Sequence, residues 1–318
     1  MTHLSTHSWL KVTLIYGGLA LFGFWCIHNF QKDLRQIDFA SLHGGWWAVL
    51  ASGLLSLFNY GLRIVRWQRY LRHMGHQLPW GLSALSYMAG FAFTLSPGKV
   101  GEMVRARYYS RYQVPLNDVT AAFFAERLMD LIVILLLSLA MLAALPAYHL
   151  VMWLGIGLIS VVVGTLLLMP WARLQAWLQA HPSADSSLIK LLHAVATMLL
   201  RARRFLSPGM LLWSLALGLI AWGAEAIGFK IVGDVIHPDA PLSWASGIGI
   251  YATATLVGAL SFLPGGLGST EAVMASLLYA QGFPVPEALL LTLICRVLTL
   301  WLAVIIGWLC VWILRHDH

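Results

Sequence analysis

Six long apolar runs constrain the fold of this chain more than any other feature. Each is about 18 residues or longer, close to the roughly 20 residues with which a helix crosses the hydrocarbon core of a bilayer. The runs cover residues 9–29, 45–62, 119–145, 149–169, 210–231 and 288–313. Together they predict an all-α integral membrane protein with about six transmembrane helices, the first of them retained and not cleaved as a signal peptide.

The composition supports a membrane protein and excludes several other classes. Of the 318 residues, 59% are hydrophobic and only 10% are charged, whereas soluble domains carry about 25% charged residues. No polar stretch is long enough to fold as a separate ATPase or catalytic domain. The net charge of +7 is typical of Lys and Arg held beside anionic lipid and indicates no nucleic-acid partner. The three cysteines show no CxxC spacing, so neither disulfides nor a cysteine metal site are predicted.

Two further apolar runs are interrupted by Pro-Gly clusters. Residues 82–96 lead into Ser96-Pro97-Gly98-Lys99-Val100-Gly101-Glu102, and residues 244–263 lead into Leu263-Pro264-Gly265-Gly266-Leu267-Gly268. Broken backbone at membrane depth is tolerated only where protein or a water-filled cavity covers it. We therefore predict two re-entrant helical hairpins, over residues 82–111 and 244–282.

The distribution of basic residues predicts the side from which each hairpin enters the membrane. Arginines flank the first hairpin on both sides, which by the positive-inside rule places its ends in the cytoplasm. The basic loops are 63–80 (Arg63, Arg66, Arg69, Arg72), 103–118 (Arg105, Arg107, Arg111) and 170–208. The loops beside the second hairpin, 234–243 and 282–287, have no Lys or Arg. This pattern predicts that the second hairpin enters from outside and that both termini are cytoplasmic.

The two broken segments also align without a gap. A proline, an acidic residue and an arginine follow the glutamate of each segment at +13, +16 and +25. These are Pro115, Asp118 and Arg127 after Glu102, and Pro284, Glu287 and Arg296 after Glu271. We interpret the chain as an inverted repeat, with residues 1–145 and 146–318 as its halves. In secondary transporters of this kind, the binding site lies near the midplane where the broken helices meet.

Two arginines at membrane depth are the first candidates for a binding site. Arg127 and Arg296 each lie about 13 Å along a helix from its start, where a charge costs at least about 2.5–3.5 kcal/mol. Arg127 has Glu126 and Asp130 on its own helix, so it is expected to be neutralised there. Arg296 has no acid nearer on its helix than Glu287. Its partner is expected among Glu102, Glu126, Glu225 and Glu271, and if it is unpaired it suits a phosphate, which a guanidinium binds with two hydrogen bonds.

The remaining sequence patterns indicate no further binding or catalytic site. The series Arg63, Arg66, Arg69 and Arg72 has i+3 spacing and is interpreted as an interfacial helix on anionic headgroups. No HExxH, GxSxG or P-loop sequence is present, so neither a metal nor another cofactor is expected.

Taken in order, four motifs resemble a known family. They are Phe93 with Pro97-Gly98-Lys99-Val100-Gly101-Glu102, then Glu126-Arg127-Leu128-Met129-Asp130, then Leu263-Pro264-Gly265-Gly266-Leu267-Gly268 with Glu271, and finally Arg296. This series is similar to the flippase-like transmembrane region of lysylphosphatidylglycerol synthases (MprF), which also occurs alone in YbhN-type inner-membrane proteins. The resemblance implies movement of a lipid between leaflets. It does not imply lysyl transfer, because the soluble synthase domain is absent.

The predicted function is translocation of a phospholipid or of a polyprenyl or aminoacyl lipid, without catalysis, in the bacterial inner membrane. Two alternatives stay open: a membrane-embedded lipid-phosphate transferase, and a non-transporting partner of a lipid-modifying enzyme. The predicted substrate-binding residues are Arg127, Arg296, Lys99, Glu102, Glu126, Asp130, Glu225 and Glu271. The predicted hairpin tips are Pro97, Gly98, Gly101, Pro264, Gly265, Gly266 and Gly268.

Overall fold

The described part of the protein is entirely helical. The computed structural model describes Leu42 and residues 44–144, 149–180 and 187–316, and no β-strand occurs within these ranges. The predicted first membrane helix, 9–29, lies outside them.

Twelve α-helices follow one another in the described ranges. They are α1 (Trp46–His73), α2 (Trp80–Phe91), α3 (Arg105–Tyr109), α4 (Leu116–Ala144), α5 (His149–Leu168), α6 (Trp171–Ala180), α7 (Ser187–Ala202), α8 (Pro208–Ile236), α9 (Trp244–Leu260), α10 (Ser269–Ala280), α11 (Val285–Arg296) and α12 (Leu302–His316). A π-helical turn, Val297–Trp301, joins α11 to α12.

Prolines and a serine cap mark where several helices begin. Proline is tolerated in the first turn because its missing N–H would have no helical partner there. Pro208 opens α8, and Pro115 and Pro284 directly precede α4 and α11. At α9 the Ser243 hydroxyl accepts a hydrogen bond from the amide of Ser246, 3.0 Å away.

Within the described ranges, three helical stretches are long and apolar enough to cross a membrane: Trp46–His73, Pro208–Ile236 and Val285–Arg315. Helix α4 is equally long, with 29 residues, but its apolar sequence is interrupted by Glu126, Arg127 and Asp130. The protein is thus an all-α membrane protein.

The second apolar run, 45–62, is part of a longer helix. Helix α1 continues without a break to His73, so all four arginines of the basic segment, Arg63, Arg66, Arg69 and Arg72, belong to it.

Helices α1 and α8 form the central pair of the structure. They pack together along their lengths, and a Cβ atom on Gly228 of α8 would lie 2.7 Å from the Ser52 hydroxyl of α1. The small residue therefore allows a close approach of the two backbones. Helix α4 packs on α9, and α12 packs on α2. These contacts bring the two helix breaks, Pro97–Val104 and Pro264–Gly266, against each other in the middle of the molecule.

Candidate functional site

The first break folds back on itself and presents polar groups. Residues 97–104 form a 3-10 segment that begins at Pro97 and Gly98. The amide of Gly101 donates to the Ser96 hydroxyl at 2.6 Å. A Cβ atom on Gly101 would lie 2.7 Å from the Phe93 carbonyl oxygen, so this close turn requires glycine.

Lys99 adopts a backbone conformation that is unusual for its type. Its φ of +58° lies in the left-handed region, which costs a residue with a Cβ of order 1 kcal/mol or more. Its side chain faces the central cavity, and no ion pair to it occurs among the described residues.

In the second break, glycines occupy backbone positions with positive φ. Gly265, Gly266 and Gly268 all have positive φ, with values of 61°, 67° and 84°. The Gly268 amide donates to Glu271 Oε2 at 2.6 Å, which fixes the first turn of α10. Glu271 is therefore both a helix cap and an ion-pair partner.

A cluster of arginines and carboxylates occupies the space behind the first break. It contains four guanidinium groups and three carboxylates, linked by contacts between 2.5 and 4.0 Å: Arg63, Arg66, Arg105 and Arg127 with Glu102, Glu126 and Asp130. With these groups ionised, the cluster carries one positive charge in excess. An uncompensated cation in a low-dielectric site attracts an anion strongly.

Three members of this cluster were expected in an aqueous or interfacial environment, and that expectation is wrong. Arg63, Arg66 and Arg105 are 6%, 1% and 0% exposed. Arg66 donates to Asp130 Oδ1 at 2.5 Å, and Arg105 donates to Glu102 Oε2 at 2.7 Å. Arg69 and Arg72 are exposed as expected. Three of the arginines that the positive-inside argument placed in cytoplasmic loops therefore form buried ion pairs instead.

Aromatic rings complete the surroundings of Arg105. Its guanidinium carbon lies 4.4 Å from the ring centre of Trp67 and 4.5 Å from that of Tyr87, which adds cation–π attraction to the ion pairs. The Tyr87 hydroxyl donates to Glu126 Oε1. These contacts hold Glu126 fully buried behind the cavity.

Arg127 is the most exposed of the four arginines in the cluster, with 20% of its side chain exposed, and it lines the cavity with incomplete hydrogen bonds. Its Nη2 lies 3.1 Å from Glu126 and 3.2 Å from Asp130, but these contacts lack hydrogen-bond geometry. Both Nε and Nη2 are buried without a hydrogen-bond acceptor. The two carboxylates nearest to it on α4, Glu126 and Asp130, also contact Arg63, Arg66 and Arg105. They therefore neutralise Arg127 only in part.

Arg296 is paired, contrary to the expectation for an unpaired guanidinium. Its Nε donates to Glu271 Oε1 at 2.6 Å, and its Nη2 donates to the Gly265 carbonyl at 2.7 Å. Glu271 is therefore the partner among the four candidates. The aligned pair of the first half, Arg127 and Glu102, is also in contact at 4.0 Å.

A cavity of about 310 Å³ lies between the two breaks. Small-ligand sites in proteins have volumes of roughly 300–1,000 Å³. Of the predicted site residues, the following line its wall: Lys99, Glu102, Arg127, Asp130, Glu225, Gly265, Gly266 and Arg296. Glu126, Glu271, Gly101, Pro264 and Gly268 lie behind the wall and position it. Arg63 and Tyr60 of α1 also line the cavity, and the sequence interpretation had missed both.

The lining of the cavity combines charged and apolar side chains. The charged ones include Lys99, Arg63, Arg127 and Asp130. The apolar ones include Leu131, Ile134, Leu158, Leu260, Phe262 and Leu263. Phe262 is 70% exposed and Leu263 is 45% exposed. The cavity therefore has an apolar margin at the outer surface of the protein.

Comparisons with known proteins cover this whole site. Residues 8–307 match the model of the family described as "Lysylphosphatidylglycerol synthase TM region". A protein described as a UPF0104 membrane protein, from Methanothermobacter thermautotrophicus, is 26% identical over an alignment of 282 positions that covers 82% of this chain and 82% of that protein. The matched range contains both breaks and every residue that lines the cavity.

Proposed function

Because the chain belongs to the family of lysylphosphatidylglycerol synthase transmembrane regions, we propose that it translocates a lipid with a phosphate-bearing headgroup between membrane leaflets, without catalysing a reaction. The lipid is a membrane phospholipid or a polyprenyl or aminoacyl lipid, and the membrane is the bacterial inner membrane.

The observation that carries this proposal is the unsatisfied guanidinium of Arg127. Buried N–H donors normally have acceptors, and each one left without an acceptor costs about 1–3 kcal/mol. The Arg127 side chain is 20% exposed and lines the cavity, and its Nε and Nη2 have no acceptor. Two oxygens of a phosphate suit a guanidinium, which binds them with paired hydrogen bonds. The excess positive charge of the cluster and the nearby Lys99 favour the same anion.

The apolar margin of the cavity favours a lipid over a free phosphate ion. A free phosphate ion gains no binding energy from contact with the exposed apolar side chains of Phe262 and Leu263. In a bilayer these side chains face acyl chains, so a headgroup can enter the cavity while its tails stay in the hydrocarbon core.

In this proposal the two broken segments are re-entrant hairpins that enter from opposite sides, within an inverted repeat whose termini are both cytoplasmic. Contacts at aligned positions support the repeat. The acid at +16 of each half binds a histidine that follows a long helix: His76 Nε2 lies 2.7 Å from Asp118 after α1, and His237 Nδ1 lies 2.7 Å from Glu287 after α8. Each pair therefore joins the end of one long helix to the first turn of the helix after the hairpin.

Leaflet exchange by the purified protein is the expected result in liposomes that contain fluorescent phospholipid and no added enzyme. The rate of quenching by an impermeant reductant should rise above that of protein-free liposomes, and an arginine-to-alanine variant at 127 serves as the matched control. Formation of a modified lipid would identify a transferase instead. Neither exchange nor product would identify a non-transporting partner of a lipid-modifying enzyme.

Cysteine labelling tests the opposite entry sides of the hairpins. Arg111 and Gln281 are both exposed, whereas Tyr109 is fully buried and cannot report topology. In a background without the native cysteines, Arg111→Cys should react with an impermeant thiol reagent only from the cytoplasmic side, and Gln281→Cys only from outside. Reaction of both from one side would contradict the inverted repeat.

A further inference from the structure

Glu225 is the acid of the cavity that lacks a cation. It lies on α8 at the cavity wall and is 5% exposed. The Tyr251 hydroxyl donates a hydrogen bond to its Oε2. Glu102 and Asp130 both have an arginine within 3.3 Å, and Glu271 has Arg296. No ion pair to Glu225 within 4.0 Å occurs among the described residues.

The groups that face Glu225 come from every helix packed around it. They are Tyr60 and Arg63 of α1, Lys99 of the first break, Asp130 of α4, Tyr251 of α9 and Cys295 of α11. Arg63 is already engaged by Asp130 at 3.3 Å. The positive potential that reaches Glu225 therefore comes from groups in the same cavity and not from a dedicated partner.

An anion in the cavity changes that potential. A buried carboxylate without a cation is costly and is relieved by a proton. Of the groups around it, Arg63 and Lys99 oppose that proton by favouring the ionised carboxylate. A phosphate bound at Arg127 and Lys99 cancels this positive potential and adds a negative charge, so the carboxylate is then favoured in its protonated form.

We propose that Glu225 is a proton-binding site coupled to the anion site, so that a phosphodiester headgroup and a proton bind together. This inference rests on the proposed function, because it needs the anion at Arg127. The coupling is reciprocal: the proton at Glu225 strengthens anion binding as much as the anion strengthens proton binding. Only a proton moves in this step, from solvent to the Glu225 carboxylate.

The direction of the pH dependence follows from this coupling. As the pH falls, the carboxyl is protonated to a greater extent and the anion binds more tightly. As the pH rises, the anion must either bind beside a carboxylate or draw a proton from a more alkaline solvent. Affinity therefore falls with rising pH, whereas a glutamine at this position retains the high affinity throughout.

The test measures binding of a short-chain phosphatidylglycerol to the purified full chain in detergent by titration calorimetry. A phosphodiester keeps a constant charge across this pH range, so any pH dependence comes from the protein. From mildly acidic to mildly alkaline pH we expect the wild-type affinity to fall by at least about fivefold. Glu225→Gln should bind tightly at both pH values. Glu287→Gln, which removes an acid paired with His237 outside the cavity, should behave as the wild type.

A second measurement keeps the inference testable if Glu225→Gln does not fold. Titrations of the wild type in buffers of different ionisation enthalpy count the protons taken up with the lipid, and uptake approaching one is expected at mildly alkaline pH. Binding without proton uptake, or an unchanged pH dependence in Glu225→Gln, would overturn the coupling and leave the proposed function intact. Absence of phosphatidylglycerol binding at every pH would overturn both.

Discussion

Replacing Arg127 with alanine is expected to weaken binding of a phosphodiester headgroup by roughly 30-fold or more while leaving the lipid-free protein nearly as stable as the wild type. The charge balance gives the reason, because without Arg127 three cations, Arg63, Arg66 and Arg105, remain against three carboxylates in the cluster. Loss of a buried charged contact to the ligand costs about 2 kcal/mol or more, roughly a 30-fold loss of affinity.

The measurement pairs lipid titration with thermal unfolding in detergent, for Arg127→Ala and Arg127→Lys. Lysine keeps the charge but has no planar pair of donors, so binding should weaken less than with alanine. Arg296→Ala is the matched control at the aligned position. It removes the partner of Glu271 and the donor to Gly265, so we expect it to lower the unfolding temperature more than Arg127→Ala does. The opposite order would show that Arg127 is structural.

Replacing Asp130 with alanine is expected to have the largest effect on stability. Asp130 accepts hydrogen bonds from Arg63, Arg66 and Trp222 at 3.3, 2.5 and 3.1 Å, and Arg127 lies 3.2 Å away. Removing one member of a buried ion pair costs about 3–5 kcal/mol, and here several buried cations lose a partner at once.

Thermal unfolding in detergent checks this prediction, together with the yield of folded protein. Glu287→Ala is the control, because its partly exposed pair with His237 is worth at most about 1 kcal/mol. Asp130→Asn should lie between the two, since the amide oxygen still accepts a hydrogen bond. If Asp130→Ala unfolds within a few degrees of the wild type, the cluster does not hold α1 against α4.

The sequence predicted the central features of the site because they depend on local chemistry. Pro-Gly clusters break helices wherever they occur, so the two breaks were expected at the positions where they lie. The charged residues that line the cavity, apart from Arg63, were all among the predicted site residues. The alignment of Glu102 with Glu271 and of Arg127 with Arg296 predicted no contacts by itself, yet both aligned pairs are in contact.

The buried arginines of α1 were missed because their partners are distant in the chain. Arg63 and Arg66 bind Asp130, which lies 67 and 64 residues away, and i+3 spacing alone also fits a helix on headgroups. A signal was nevertheless present. Buried polar residues recur every three or four positions along one face of α1: Ser52, Ser56, Asn59, Arg63, Arg66 and Tyr70. This stripe runs without interruption from the apolar run into the basic segment.

The π-helical turn at Val297–Trp301 makes the two halves of the proposed repeat unequal. A π turn contains one residue more than the α-helical turn that it replaces, so the helix beyond it leaves with a rotation of about 100°. The Tyr60 hydroxyl of α1 donates to the Thr299 carbonyl within this turn at 2.9 Å. Helix α4, the aligned helix of the first half, has no such turn. Two identical copies of either half, assembled in opposite orientations, would therefore not rebuild this cavity. A symmetric version of the protein would have to use the helix of one half in both places. That choice would decide whether the Tyr60 hydroxyl keeps its hydrogen-bond acceptor.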